Sequence, residues 1–286
     1  TATIMATAMA TATALPPKPA DCPAMLTDYD EAVARFLNNP ANNVERLRRS
    51  LTLCRVIEPE DEGPVAASIT GADSQDVIVV INDATAEGGG ATGALLVYHK
   101  DAEGYTLAHK AAGQGRIALV EAADINLDEQ FDLVYSDTSC GAHTCFGALH
   151  VMSWDGEAYA SWIEDEPTIA GPKYTLDDVT DNGQGAEIIV HGGVIGSVGA
   201  GPQRAWTETY ISAEGAAYML FSQVYDASAC LYHQIVDANR AFESWALDGF
   251  DAAIEAYEVA LANEDAEACG TIEDEVATLQ DFARFR

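Results

Sequence analysis

Short apolar runs, each entered from an acidic loop, recur along the middle of the chain. Asp124-Ile125-Asn126-Leu127-Asp128-Glu129-Gln130-Phe131-Asp132 runs into Leu133-Val134-Tyr135. Asp178-Val179-Thr180-Asp181-Asn182-Gly183 leads through Glu187 to Ile188-Ile189-Val190. A worn copy, Ser68-Ile69-Thr70-Gly71-Ala72-Asp73, leads through Asp76 to Val77-Ile78-Val79-Val80. The starts at 68, 124 and 178 give a period of roughly 55 residues, the mark of stacked or radial repeats. After each apolar strand come a Gly- or Cys-rich excursion, a second strand, an acidic-Gly turn and an aromatic third strand at Tyr105, Tyr159 or Tyr218. Region 63–226 therefore reads as a three-repeat, propeller-like β domain within a mainly β fold with α.

The flanks change period. Residues 21–62 predict a helical hairpin: Thr27 as a cap, Tyr29, Val33, Phe36 and Leu37 on one face, a break at Asn38-Asn39-Pro40, then Val44, Leu47 and Leu51 at helical spacing. Residues 227–286 predict helices from Leu231 to Leu247, around Tyr257, Ala260 and Leu261, and from Ile272 to Arg286. Small residues at Ala241, Ala253 and Ala260 suit close helix packing, whereas the last segment has no cap and is expected to meet a partner or further chain. Residues 1–20 are Thr/Ala-rich and end in Pro-Pro-Lys-Pro, a stalk or assembly tail. Thr1, Thr3, Thr7, Thr11 and Thr13 are candidate O-glycosylation sites, and threonine also favours extended chain that can add to a neighbouring sheet edge.

Charge narrows the partners. With 46 acidic and 14 basic residues the formal net charge is −32. Such a chain repels nucleic acid and anionic membrane surfaces. No apolar run reaches the length of a membrane span. Six cysteines without a Cys-x-x-Cys motif suit disulfides and an oxidising compartment. Neighbourhood favours Cys22 with Cys54, Cys140 with Cys145 and Cys230 with Cys269, although sequence alone leaves other connectivities open.

Alternating oxygen side chains in a tight loop can turn inward onto one hard cation. The candidate ligands are Asp124, Asn126, Asp128 and Asp132 in one loop and Asp178, Thr180, Asn182 and Glu187 in another, for one or two structural Ca2+ ions. The first loop, with Ser68 and Ala72 in place of acids, is expected to bind none. These loops resemble FG-GAP/VCBS repeats, the calcium-loop blades of integrin-type propellers. Together with Cys140-Gly141-Ala142-His143-Thr144-Cys145, Gly199-Ala200-Gly201-Pro202-Gln203-Arg204 and a tetratricopeptide-like helix pair, they are similar to exported surface proteins of Chloroflexota-type bacteria. The resemblance implies an exported, surface-facing protein and supplies no activity. It also meets departures: Glu129 stands where glycine is usual, and an extra residue, Gly185 or Ala186, precedes Glu187.

Catalytic patterns are not written in the chain. Gly196-Ser197-Val198-Gly199 lacks the strand-to-helix setting of a nucleophile elbow, and the glycine-rich stretch around it lacks a phosphate loop's Lys-Ser/Thr. His143 between two cysteines reads as a disulfide-pinned hairpin tip, and the other histidines show no ligand spacing. Trp154, Trp162, Trp206 and Trp245 read as packing residues that could alternatively stack on sugars. The expectation is a non-enzymatic, secreted or cell-surface scaffold, a subunit of a homo-oligomer or polymer such as a filament or sheath. The alternative is a displayed carbohydrate- or peptide-binding module, and a third reading is an extracellular hydrolase.

Overall fold

The computed structural model describes residues 18–58, 63–69, 74–83, 92–129, 131–181, 183–197, 199–213, 216–243, 249–263, 267–269 and 274–286. The candidate glycosylation threonines and Trp245 lie outside them. The architecture is mainly β: three antiparallel sheets, with five α-helices among the described residues. Each sheet is a meander in chain order. The first contains β1 (Val65–Ala67), β2 (Asp76–Asn82), β3 (Gly93–Lys100) and β4 (Tyr105–Ala112). The second contains β5 (Arg116–Ala123), β6 (Asp132–Cys140), β7 (Cys145–Trp154) and β8 (Tyr159–Ser161), with β9 (Thr168–Ala170) also on β7. The third contains β10 (Lys173–Asp177), β11 (Glu187–Gly192), β12 (Trp206–Ile211) and β13 (Met219–Tyr225).

The acidic loops are the turns between the first and second strands of each meander. Three strands per repeat were expected; the structure has a fourth, laid down before the loop as β1, β5 or β10. These are edge strands, and a run such as Lys173-Tyr174-Thr175-Leu176-Asp177 alternates with its polar face outward, so no apolar block marks it.

Period-two alternation in β2, β3, β6 and β7 gives each of the first two sheets two apolar faces, and this joins the sheets in series. Val77, Val79, Ile81, Leu96 and Tyr98 face the N-terminal helices. Ile78, Leu95 and Val97 meet Leu133 and Tyr135 of the second sheet. Val134, Leu149 and Val151 then meet Ile188, Val190 and Tyr210 of the third. The second residue of each acidic loop follows the same rule. Ile69 and Ile125 are buried in the next interface, whereas Val179, with no fourth sheet to meet among the described residues, is 53% exposed.

The helices close the row at one end. A 3-10 turn, Leu26–Asp28, leads into α1 (Tyr29–Leu37), and α2 (Val44–Leu53) follows with Asn43 accepting the Arg46 N–H as its N-cap. Thr27 does not cap α1: the chain is already helical at Asp28, and the Thr27 hydroxyl bonds the Asp28 carboxylate inside the 3-10 turn. The hairpin is bolted to the first sheet by Tyr98 Oη donating to the Asp30 carbonyl at 2.8 Å, by the Lys110–Asp30 pair, and by Asn38 bonding both backbone groups of Tyr105. At the other flank α3 (Leu231–Glu243), α4 (Gly249–Ala262) and α5 (Glu275–Phe285) pack through Leu231, Ile235, Ala238, Tyr257, Ala260 and Ala283. Tyr257 is inside this contact, and at its edge Phe250 of α4, 55% exposed, meets Phe242 of α3 edge-on. Three disulfides, Cys22–Cys54, Cys140–Cys145 and Cys230–Cys269, tie the α1–α2 hairpin, the tip of β6–β7 and the C-terminal helices. No helix among the described residues is long and apolar enough to cross a membrane.

Leu133 is fully buried between the first two sheets. Leu133→Ala should lower stability by about 2–5 kcal/mol, through lost transfer energy plus a cavity, as read by the urea midpoint at unchanged m-value.

Candidate metal centre

One bond recurs in all three acidic loops. The carboxylate that opens the second strand turns back and accepts the backbone N–H of the loop's second residue. Asp76 Oδ2 accepts from Ile69 at 2.9 Å, Asp132 Oδ2 from Ile125 at 3.2 Å, and Glu187 Oε2 from Val179 at 2.8 Å. The third loop is one residue longer, and Glu reaches one methylene further than Asp, so the bond is kept.

The three loops differ in what meets the second carboxylate oxygen. The strand register sets His99 opposite Asp76, Ser153 opposite Asp132 and Ile211 opposite Glu187. In the first loop His99 Nδ1 lies 2.8 Å from Asp76 Oδ1, so a protein side chain occupies the place a cation would take. In the third, Glu187 Oε1 accepts the Thr180 hydroxyl. Burial alone would raise the Glu187 carboxyl, but the Thr180 hydroxyl and the Val179 and Thr180 N–H groups outweigh it and hold it below its usual range. Asp178 is exposed and Asn182 lies outside the described residues, so the ligands expected in this loop are not seen to converge.

The second loop is different. Asp132 is fully buried, and its Oδ1 has no hydrogen-bond partner among the described residues. Around it the loop is wound tightly. Asp124 accepts the N–H groups of Asp128 and Glu129 at 3.1 and 3.0 Å. Asn126 accepts the Asp128 N–H at 3.0 Å and donates to the Asp128 carboxylate at 3.2 Å. Leu127 and Glu129 take left-handed backbone, φ 60° and 69°, which costs on the order of 1 kcal/mol each for a non-glycine residue. Glu129 thus makes the turn that glycine would make. Burial, with smaller help from the Asp128 and Asp124 charges, raises the Asp132 carboxyl to about 6 against the opposing Ser153 hydroxyl and Ile125 N–H. A buried carboxylate oxygen without a partner is the kind of group a hard divalent cation satisfies, but Asp124, Asp128 and Asp132 do not bring three ligand atoms within 4.8 Å of one another. Asp124, Asn126, Asp128 and Asp132, the ligands expected for Ca2+, share one tight loop, but the oxygens of Asp124 and Asn126 are already taken by loop N–H groups; the third loop satisfies its own carboxylate.

The extra residue of the third loop has a use. Gly185 has φ 109°, and a Cβ there would stand 2.1 Å from the Ile125 carbonyl. That carbonyl accepts from Ala186 N–H at 2.8 Å and from Tyr218 Oη at 3.2 Å, so the third loop and Tyr218 are both fastened onto the second.

Other candidate groups are placed as follows. Cys140 and Cys145 face each other at the end of β6–β7. Trp154 packs against the first interface, and Trp162 and Trp206 against the second. His233, not singled out as a ligand from the sequence, lies with Cys230 and Cys269 in a group whose ligand atoms are all within 4.8 Å, both sulfurs being in the disulfide. Only the Cys-x-x-His spacing at the start of α3 hinted at it. A cleft of about 230 Å³ between the third sheet and α3 is lined by Arg204, Trp206, Tyr225, Tyr232, His233 and Arg240. Both arginines lie over the Tyr225 ring, and both pair with Asp237, which offsets their charge.

The raised Asp132 pKa fixes the sign of a pH effect. Between about pH 4 and 6 the native state binds more protons than the unfolded chain, so stability falls as pH rises through that window and is level above it. The stability difference between the chelated wild type and Asp132→Asn should shift by about 3 kcal/mol over that interval, measured by urea unfolding in EDTA from pH 4 to 8. Saturating calcium should abolish the shift.

Comparison of the chain with protein-family models, curated proteins and solved structures finds no match in any of the three.

Proposed function

We propose that this protein is a non-enzymatic scaffold of the cell exterior, a subunit of a surface assembly, built from FG-GAP/VCBS-like blades in an open, propeller-like row. The observation that carries it is that the row has two unlike ends. The first sheet is covered by α1 and α2. The far face of the third sheet carries Ile189 and Ile211, which belong to none of the four apolar clusters, beside the exposed Val179. Unlike ends suit head-to-tail association, which generates open chains. Three disulfides suit an oxidising compartment. A tetratricopeptide-like role for α3 to α5 adds a second protein-binding surface, with Ile254 and Val259 of α4 exposed.

Calcium in the second loop is structural in this reading. It would neutralise Asp124, Asp128 and Asp132 and lock the turn on which the third loop and Tyr218 rest. A displayed binding module is the second reading, favoured by the cleft of Trp206, Tyr225 and Tyr232 with its two arginines. Aromatic faces and planar guanidinium groups suit sugar rings or peptide side chains.

Sedimentation of the native protein with calcium and with chelator, followed by electron microscopy of the pellet, tests the two. The scaffold reading expects large ordered particles; a monomer that binds glycans or peptides saturably would replace it. Chelation should lower Tm by about 4–5 °C if calcium stands near a hundredfold above its Kd. Asp124→Ala should remove that response and Asp178→Ala should leave most of it.

A further inference from the structure

Edge strands of soluble proteins are normally blunted by charge, shortness or a cover. Here β1, β8 and β9 have three residues each. β4 carries Lys110, β5 carries Arg116 and Glu121, and β10 carries Lys173 and Asp177. β13 departs from all of them. Its seven residues, Met219-Leu220-Phe221-Ser222-Gln223-Val224-Tyr225, include no charge and no proline. Met219, Leu220, Phe221 and Val224 are 46%, 50%, 62% and 62% exposed. Tyr218, just before it, is bridged to Ile163, but from Met219 to Tyr225 the backbone pairs only with β12 among the described residues. In a chain of net charge −32, an uncharged, apolar edge of this length, open among the described residues, is the feature that strand addition uses.

We propose that β13 receives residues 1–15 of a second copy of this chain, paired backbone to backbone as an added strand. This rests on the scaffold reading and names its joint. The occupant follows from composition and reach. Residues 1–17 contain no charged side chain, so they can approach an acidic molecule without repulsion. From 1 to 13 every odd position is Thr or Met, and from 2 to 14 every even position is Ala or Ile. That is a period-two pattern with β-favouring threonine on one face. Extended, 15 residues reach about 50 Å and seven need about 23 Å. The segment leaves the described structure at Lys18, which lies over the Tyr29 ring at the helical end of the row. Its own β13 is on the third sheet, roughly 30 Å away at about 10 Å per layer, so pairing within one molecule would use most of the segment in crossing. A second copy offers the strand at full length, and because the two ends differ the joint repeats head to tail.

The test is hydrogen–deuterium exchange of the full chain at the amides of residues 219–225, over a hundredfold concentration range, with and without a synthetic peptide of residues 1–17. Protection should grow with protein concentration, and the free peptide should supply it in dilute samples. Leu220→Lys and Phe221→Lys, at exposed positions that a folded chain tolerates, should each weaken the peptide at least tenfold. Absence of peptide-dependent protection at 219–225 overturns the proposal. So does full protection in the dilute chain that the peptide leaves unchanged, which would place the segment on its own strand. Particles that sediment undiminished from Phe221→Lys protein leave the scaffold standing and remove this joint. A chain that stays monomeric while the peptide protects 219–225 removes the scaffold and upholds the pairing.

Discussion

The carboxylate that folds back onto its own loop is the constraint on which the β region depends. Asp76, Asp132 and Glu187 each open an inner strand and each accept the N–H of the loop's second residue. That bond closes the turn and aims the second residue's side chain along the row. It also buries a negative charge, which is costly unless something meets it. Three neighbours give three answers: His99 beside Asp76, Thr180 on Glu187, and no protein partner for Asp132 Oδ1 among the described residues. The same motif therefore meets its second carboxylate oxygen with a protein group twice and leaves it without a hydrogen-bond partner among the described residues once.

Serial packing follows from the same geometry. A strand such as β6 has Leu133 and Tyr135 on one face and Val134 on the other, and both faces are dry. The first two sheets are each sandwiched, and the row ends against something other than another sheet. At the first end the amphipathic α1 and α2 cover it, with Tyr98 and Asn38 supplying the polar registration. At the other end the third sheet turns a face of Thr175, Ile189 and Thr209 outward, the register holding these three side by side. Arg204 and Arg240 stack on Tyr225 and share Asp237 to moor α3 at that sheet's margin.

Much of this was legible in the chain itself. Local chemistry decided the acidic loops, the apolar strands after them, the two helical flanks and the distance between like elements, because each is an effect of neighbours within a few residues. The polar alternation of β10 and the capping failure at Thr27 were not legible, since the first depends on the strand paired beside it and the second on the 3-10 turn that enters α1.

What only the tertiary structure decided is which loop lacks a partner and which edge lacks a cover. His99, Ser153 and Ile211 sit 23, 21 and 24 positions after their carboxylates, and nothing local marks them as opposites until the hairpins set the register. His233 meets Cys230 and Cys269 only when α3 and the segment after α4 come together. The residues of β13 read as an ordinary apolar strand; that it ends its sheet, uncharged and open, is a property of strand order, which pairing across distant segments determines and sequence periodicity does not.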